Sequence, residues 1–168
     1  MLYENPRRTE EVLPPEINYQ LLTALDNVLQ NGFARWYLDF EGRSQIVGKT
    51  GTTDYSMDFW FVGTTPYYTT AVWVGSDNAF LYLEGNYGLA ARVYQAISDI
   101  VHEGTEPATF QQPDGLFEVE VCMISGKLAT DLCRQDHRET VETILGSSQT
   151  EPTQTCDVHV LADIDTRN

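Results

Sequence analysis

Cationic side chains are the scarcest feature of this chain: ten lysines and arginines stand against 25 aspartates and glutamates, a formal net charge of −15. Such a surface repels a phosphate backbone, and no basic patch or arginine-rich helix interrupts it, so nucleic acid is excluded as a partner. Long apolar runs are missing too. A bilayer span needs roughly 20 consecutive apolar residues, which no stretch approaches, and the opening MLYENPRRTEEV carries no apolar segment that would direct export. Cysteine is limited to Cys122, Cys133 and Cys156, an odd number that allows at most one internal bridge. What the chain does have is 42% apolar residues over 168 positions, enough for a packed core and too many for disorder throughout.

The stretch Gly48-Lys49-Thr50-Gly51-Thr52-Thr53 concentrates the chemistry. It follows the β-prone run Gln45-Ile46-Val47 and precedes two more, Met57 to Gly63 and Thr69 to Gly75, which makes it a strand of a small antiparallel sheet. A cation, two hydroxyls and two positions without side chains suit a strand edge that receives an extended anionic ligand. Lys49 supplies charge for a carboxylate, Thr50 and Thr52 supply hydroxyl hydrogen bonds, and Gly51 lets another backbone approach. A peptide laid along that edge would gain main-chain hydrogen bonds. The blander reading of Lys49 is a solvated lysine guarding a sheet edge.

Across some thirty positions, KTGTTDYSMDFWFVGTTPYYTTAVWVGSDN resembles the same region of the class A penicillin-binding proteins, whose signature set is S-x-x-K, S-D-N and K-T-G. The resemblance implies the C-terminal half of the penicillin-binding protein and β-lactamase fold, an α/β arrangement with an antiparallel sheet flanked by helices. It implies D,D-transpeptidation of peptidoglycan, with D-Ala-D-Ala stem peptides and β-lactams as partners, no cofactor and no metal. Carried over residue by residue, Lys49 and Thr50 hold the ligand carboxylate, and Lys49 also tunes proton transfer at the nucleophile. Thr52 adds a hydroxyl contact and, through its backbone N–H, one oxyanion-hole donor. Gly51 and Thr53 line the groove.

Two departures limit the carry-over. The only lysines are Lys49 and Lys127, preceded three positions earlier by Ile46 and Ile124, so the Ser-x-x-Lys nucleophile is missing. Ser76-Asp77-Asn78 spells the second motif, yet it follows Lys-Thr-Gly at a strand end and reads as a turn. The expectation is therefore a piece of a synthase whose parent sits at the extracytoplasmic face of the membrane. Such a piece would be inert without the N-terminal part of its domain. The alternatives are a non-catalytic peptide-binding pseudoenzyme and an extracellular interaction module.

Around the motif, residues 1–13 read as an extended lead-in. Pro15 to Asn31 forms a helix with Ile17, Leu21, Leu25 and Val28 on one stripe, placed to cover one face of the sheet. In the family a small polar turn precedes the Lys-Thr-Gly strand; here it reads Gly32-Phe33-Ala34. Apolar residues on both faces of Phe59 to Val62 and Val72 to Val74 predict helices on both sides of the sheet. Tyr87 to Glu103 is a second helix with a structural His102 near its end. Residues 1–106 thus form one part and 107–168 an irregular β-rich extension, with alternation from Leu116 to Val121 and a frayed end at Thr166 to Asn168. Its cysteines admit a bridge, with Cys133 to Cys156 the favoured pair, or free thiols. Zinc ligation with His137 and His159, spaced Cys-x3-His and Cys-x2-His, also fits, although metal clusters usually show tighter pairing.

Overall fold

The computed structural model describes residues 10–78, 83 and 85–160; the lead-in before residue 10 and the chain end after 160 lie outside them. The chain forms two units, residues 21–111 and residues 1–20 with 112–168. The expected boundary at 106 moves for two reasons. Residues 108–110 are held to the first unit, where the Gln45 N–H donates to the Ala108 carbonyl at 2.8 Å and the Phe110 N–H donates to Gln45 Oε1 at 3.1 Å. Gln20 belongs with the second, because its amide donates to the Leu145 carbonyl at 2.8 Å and to Thr150 Oγ1 at 2.7 Å.

The first unit carries an antiparallel sheet of β1 (Val47–Thr52), β2 (Asp58–Thr64) and β3 (Thr69–Gly75) in that order. Helix α1 (Pro15–Asn31) precedes it and α2 (Leu89–Val101) follows it. The pleat puts Phe59, Phe61 and Val72 on one face, which α2 covers with Ala90, Ala91 and Tyr94. The Phe61 and Tyr94 rings lie 4.8 Å apart, and burial pushes the Tyr94 hydroxyl up to about 12, so it stays neutral. Gly63 is required there, since a Cβ would lie 2.5 Å from the Tyr94 ring.

The opposite face departs from expectation. Trp60, Val62 and Trp73 remain 44%, 43% and 46% exposed, so among the described residues the sheet is covered on one side only. The apolar run misled because full alternation is concealed when both faces carry large apolar residues. Helix α1 contributes less than its stripe suggested: Leu29 alone is fully buried, while Leu21 and Val28 are exposed.

The second unit contains β4 (Phe117–Cys122), the short helix α3 (Asp131–Arg134) and β5 (Val141–Gly146), with β4 and β5 paired antiparallel. Strand β5 escaped the sequence reading. The turn at Asp114-Gly115 is real, with Gly115 at φ +90°, a conformation that favours glycine. No helix among the described residues is long and apolar enough to cross a membrane.

Candidate functional site

Strand β1 pairs only with β2 among the described residues, so its other edge is open. The register decides what that edge presents. The Thr53 N–H donates to the Asp58 carbonyl at 3.2 Å, continuing the pairing of Thr52 with Phe59 and Gly51 with Trp60. In an antiparallel ladder hydrogen-bonded and non-bonded pairs alternate. The odd-numbered residues of β1 therefore bond to β2, and the backbone N–H and C=O groups of Thr50 and Thr52 face outward.

The side chains alternate as well, which separates the motif into two groups. Thr50 and Thr52 lie opposite Phe61 and Phe59, while Lys49 and Gly51 lie opposite Val62 and Trp60 on the other face. The exposed Lys49 bends back along the border, where its ammonium donates to the Thr50 carbonyl at 3.0 Å. Gly51 leaves room for the Trp60 side chain, which a Cβ would meet at 3.2 Å. The Thr53 hydroxyl donates to the Asp58 carboxylate at 3.0 Å and accepts from the Asp58 N–H at 2.9 Å, so it clasps the end of the β1–β2 ladder.

Beside the threonines lies a cavity of about 280 Å³ lined by Phe33, Thr50, Thr52 and Tyr87. Phe33 stacks edge-on against Tyr87 with centroids 6.3 Å apart, and Tyr87 in turn meets Phe59 at 5.6 Å. Sequence reasoning flagged Phe33 as a departure from a small polar residue and missed Tyr87, whose contribution depends on the return of the chain into α2. The site therefore combines two outward N–H groups, two hydroxyls, one ammonium and an aromatic wall. Such a surface can bind an extended peptide ending in a carboxylate and can donate to a developing oxyanion. It holds no nucleophile.

Other singled-out groups serve structure. His102 uses both ring nitrogens, Nε2 with Thr65 Oγ1 at 2.8 Å and Nδ1 with the Ser98 carbonyl at 2.8 Å. At Ser76 to Asn78 the Asn78 N–H donates to Ser76 Oγ at 3.1 Å, as in a turn.

In the second unit the favoured Cys133 to Cys156 bridge is not formed: all three cysteines are free and buried. The reason is convergence. Their sulfurs meet at one point together with His159, and no two are singled out as a pair. His137, the other histidine considered, is exposed at the surface.

Residues 112–161 match the family model for the penicillin-binding protein 1A C-terminal domain. Penicillin-binding protein 1A of Clostridium botulinum is 34% identical over 98% of this chain and 20% of its own length. That of Clostridium tetani is 32% identical over 95% of this chain and 20% of its own length. The crystal structure of penicillin-binding protein 1A from Haemophilus influenzae superposes on 83% of this chain and 21% of its own, with a TM-score of 0.62 and 20% identity. The chain thus spans about a fifth of the length of the relatives it matches.

Proposed function

We propose, for a chain that belongs to the class A penicillin-binding protein family and matches its C-terminal part, that the open edge of β1 docks the D-Ala-D-Ala end of a peptidoglycan stem peptide. A β-lactam that imitates that end would use the same edge. The observation that carries this reading is the outward turn of the Thr50 and Thr52 backbone beside the aromatic cavity. The terminal carboxylate lies against the Lys49 ammonium and the hydroxyls of Thr50 and Thr52, a charge-assisted arrangement.

The reaction then needs a serine presented by sequence that these 168 residues do not hold, because none of their serines has a lysine three positions on. That serine attacks the carbonyl between the two D-alanines. The oxyanion that forms accepts from the Thr52 N–H and from the serine's own N–H, D-alanine leaves, and the acyl group passes to an amine of a neighbouring strand. The parent enzyme works on the outer face of the membrane. By itself this chain recognises the peptide and forms no acyl-enzyme.

Two measurements test the reading. Intact mass after incubation with a labelled penicillin shows no adduct on this chain, and a stable adduct would overturn the assignment. In the complete synthase, Lys49→Ala removes a hydrogen bond from a charged group, worth about 1.5–3 kcal/mol or roughly 10- to 150-fold. Penicillin acylation slows by that factor; an unchanged rate removes Lys49 from carboxylate recognition.

A further inference from the structure

The second unit buries few apolar side chains, Val119 and Val121 of β4 among them. Its buried cluster consists of Cys122, Cys133 and Cys156, with Ala129 and Val141 packed against them. A unit of this size buries too little apolar surface for a wide stability margin, and a disulfide, a metal or a partner commonly adds to it. The three thiols are unbridged, so the first of these staples is absent.

The polar neighbours of the thiols are arranged in detail. The ligand atoms of Cys122, Cys133, Cys156 and His159 all lie within 4.8 Å of one another, and all four residues are buried. His159 Nδ1 stands 3.5 Å from Cys122 Sγ and 3.4 Å from Cys156 Sγ. A tetrahedral zinc ion with Zn–S of about 2.3 Å and Zn–N of about 2.0 Å would set S···N edges of about 3.5 Å and S···S edges of about 3.8 Å. The two S···N separations match that tetrahedron, and no pair of ligand atoms stands farther apart than 4.8 Å.

The surroundings fit a metal-bound imidazole. His159 Nε2 is 2.8 Å from Asp136 Oδ2, with both side chains 1% exposed. Its proton is donated to that carboxylate, which leaves the Nδ1 lone pair facing the sulfurs, the carboxylate–histidine pairing that orients zinc ligands. Asp136 is itself fixed by the Arg138 guanidinium, with Nε 2.9 Å from Oδ1, and by the Arg138 N–H at 2.9 Å. One sulfur receives a donor as well: the Thr130 N–H lies 3.4 Å from Cys133 Sγ.

We propose that Cys122, Cys133, Cys156 and His159 form a closed structural zinc site that holds the C-terminal unit together. Each ligand comes from a different part of that unit except the last pair: Cys122 from the end of β4, Cys133 from α3, and Cys156 with His159 from the final loop. Four protein ligands leave no open position, so the ion is structural and takes no part in acyl transfer. Three soft thiolates with one imidazole select zinc over calcium or magnesium.

The test uses the full chain, reduced and titrated with zinc chloride. One zinc per chain is expected by elemental analysis, and substituted cobalt should give the visible spectrum of a tetrahedral thiolate site. Cys133→Ser should abolish binding. Asp136→Asn, which keeps all four ligands, should weaken zinc about 10- to 100-fold in competition with a chromophoric chelator, while His137→Ala changes nothing. Chelation should make residues beyond 112 sensitive to protease. A folded, reduced chain that takes up no zinc overturns the proposal, as does a purified chain whose mass is lower by two hydrogens, the mark of a disulfide. Zinc affinity unaltered by Asp136→Asn would remove that carboxylate from the site.

Discussion

Individual side chains show how local charge is spent on holding elements in place. Arg43 bridges Asp39 and Asp99, with its Nε 2.8 Å from Asp99 Oδ1. The Arg43 guanidinium holds the Asp99 carboxyl below the usual carboxylate range, burial pushes it slightly back up, and the Gln95 amide adds to the lowering. A carboxylate whose folded pKa is depressed contributes stability that is present above its unfolded pKa and is lost as pH falls through the folded value. Both side chains are a third or more exposed, so solvent screening keeps the contribution below about 1 kcal/mol. Arg43→Met should therefore lower the melting temperature at pH 7, and the gap between the two proteins should close in acid as the pH falls through the depressed folded pKa of Asp99. A gap that persists in acid would mean that Arg43 acts through packing of its aliphatic stem.

At the scale of elements, the alternation along β1 makes a prediction that separates edge chemistry from sheet integrity. The Gly51 N–H belongs to a pair bonded with Trp60, while the Thr52 N–H faces the open edge. Thr52→Pro should leave the sheet folded and abolish penicillin acylation in the complete synthase, because proline is tolerated where a strand's N–H faces outward. Gly51→Pro should unpair the Trp60 carbonyl and cost about 1–3 kcal/mol in urea unfolding. Equal destabilisation by both would contradict the register.

The same alternation explains what was legible beforehand. The 3.6-residue stripe placed α1 at Pro15–Asn31, and β-branched runs placed β3 at Thr69–Gly75. Strand β5 was missed because Val141 to Gly146 interleaves Glu142 and Thr143 within a polar stretch. Tyr87 reaches the cavity only through tertiary return of the chain, and the local Cys156-x2-His159 pair, legible in the sequence, meets Cys122 and Cys133 in the same way. Cys122-x2-Ser125 hides the cluster further, since serine stands where a paired-cysteine pattern would put its second sulfur.

For the whole molecule, long-range charge opposes exposed apolar surface. Fifteen net negative charges push copies apart at pH 7. Trp60, Val62 and Trp73 on the uncovered sheet face favour association with any apolar partner, another copy included. Which effect wins depends on screening. The Debye length shrinks from about 10 Å at 0.1 M to about 3 Å at 1 M salt, which removes the repulsion and leaves the apolar attraction intact. Sedimentation of the isolated chain should therefore show association that grows with salt and as pH falls toward the isoelectric point near 4.3. Trp60→Glu adds a further negative charge to that face and removes apolar surface from it, so it should shift the association to higher protein concentration at every salt concentration. Association that dissolves on adding salt would instead assign it to ion pairs and leave the tryptophan face out of it.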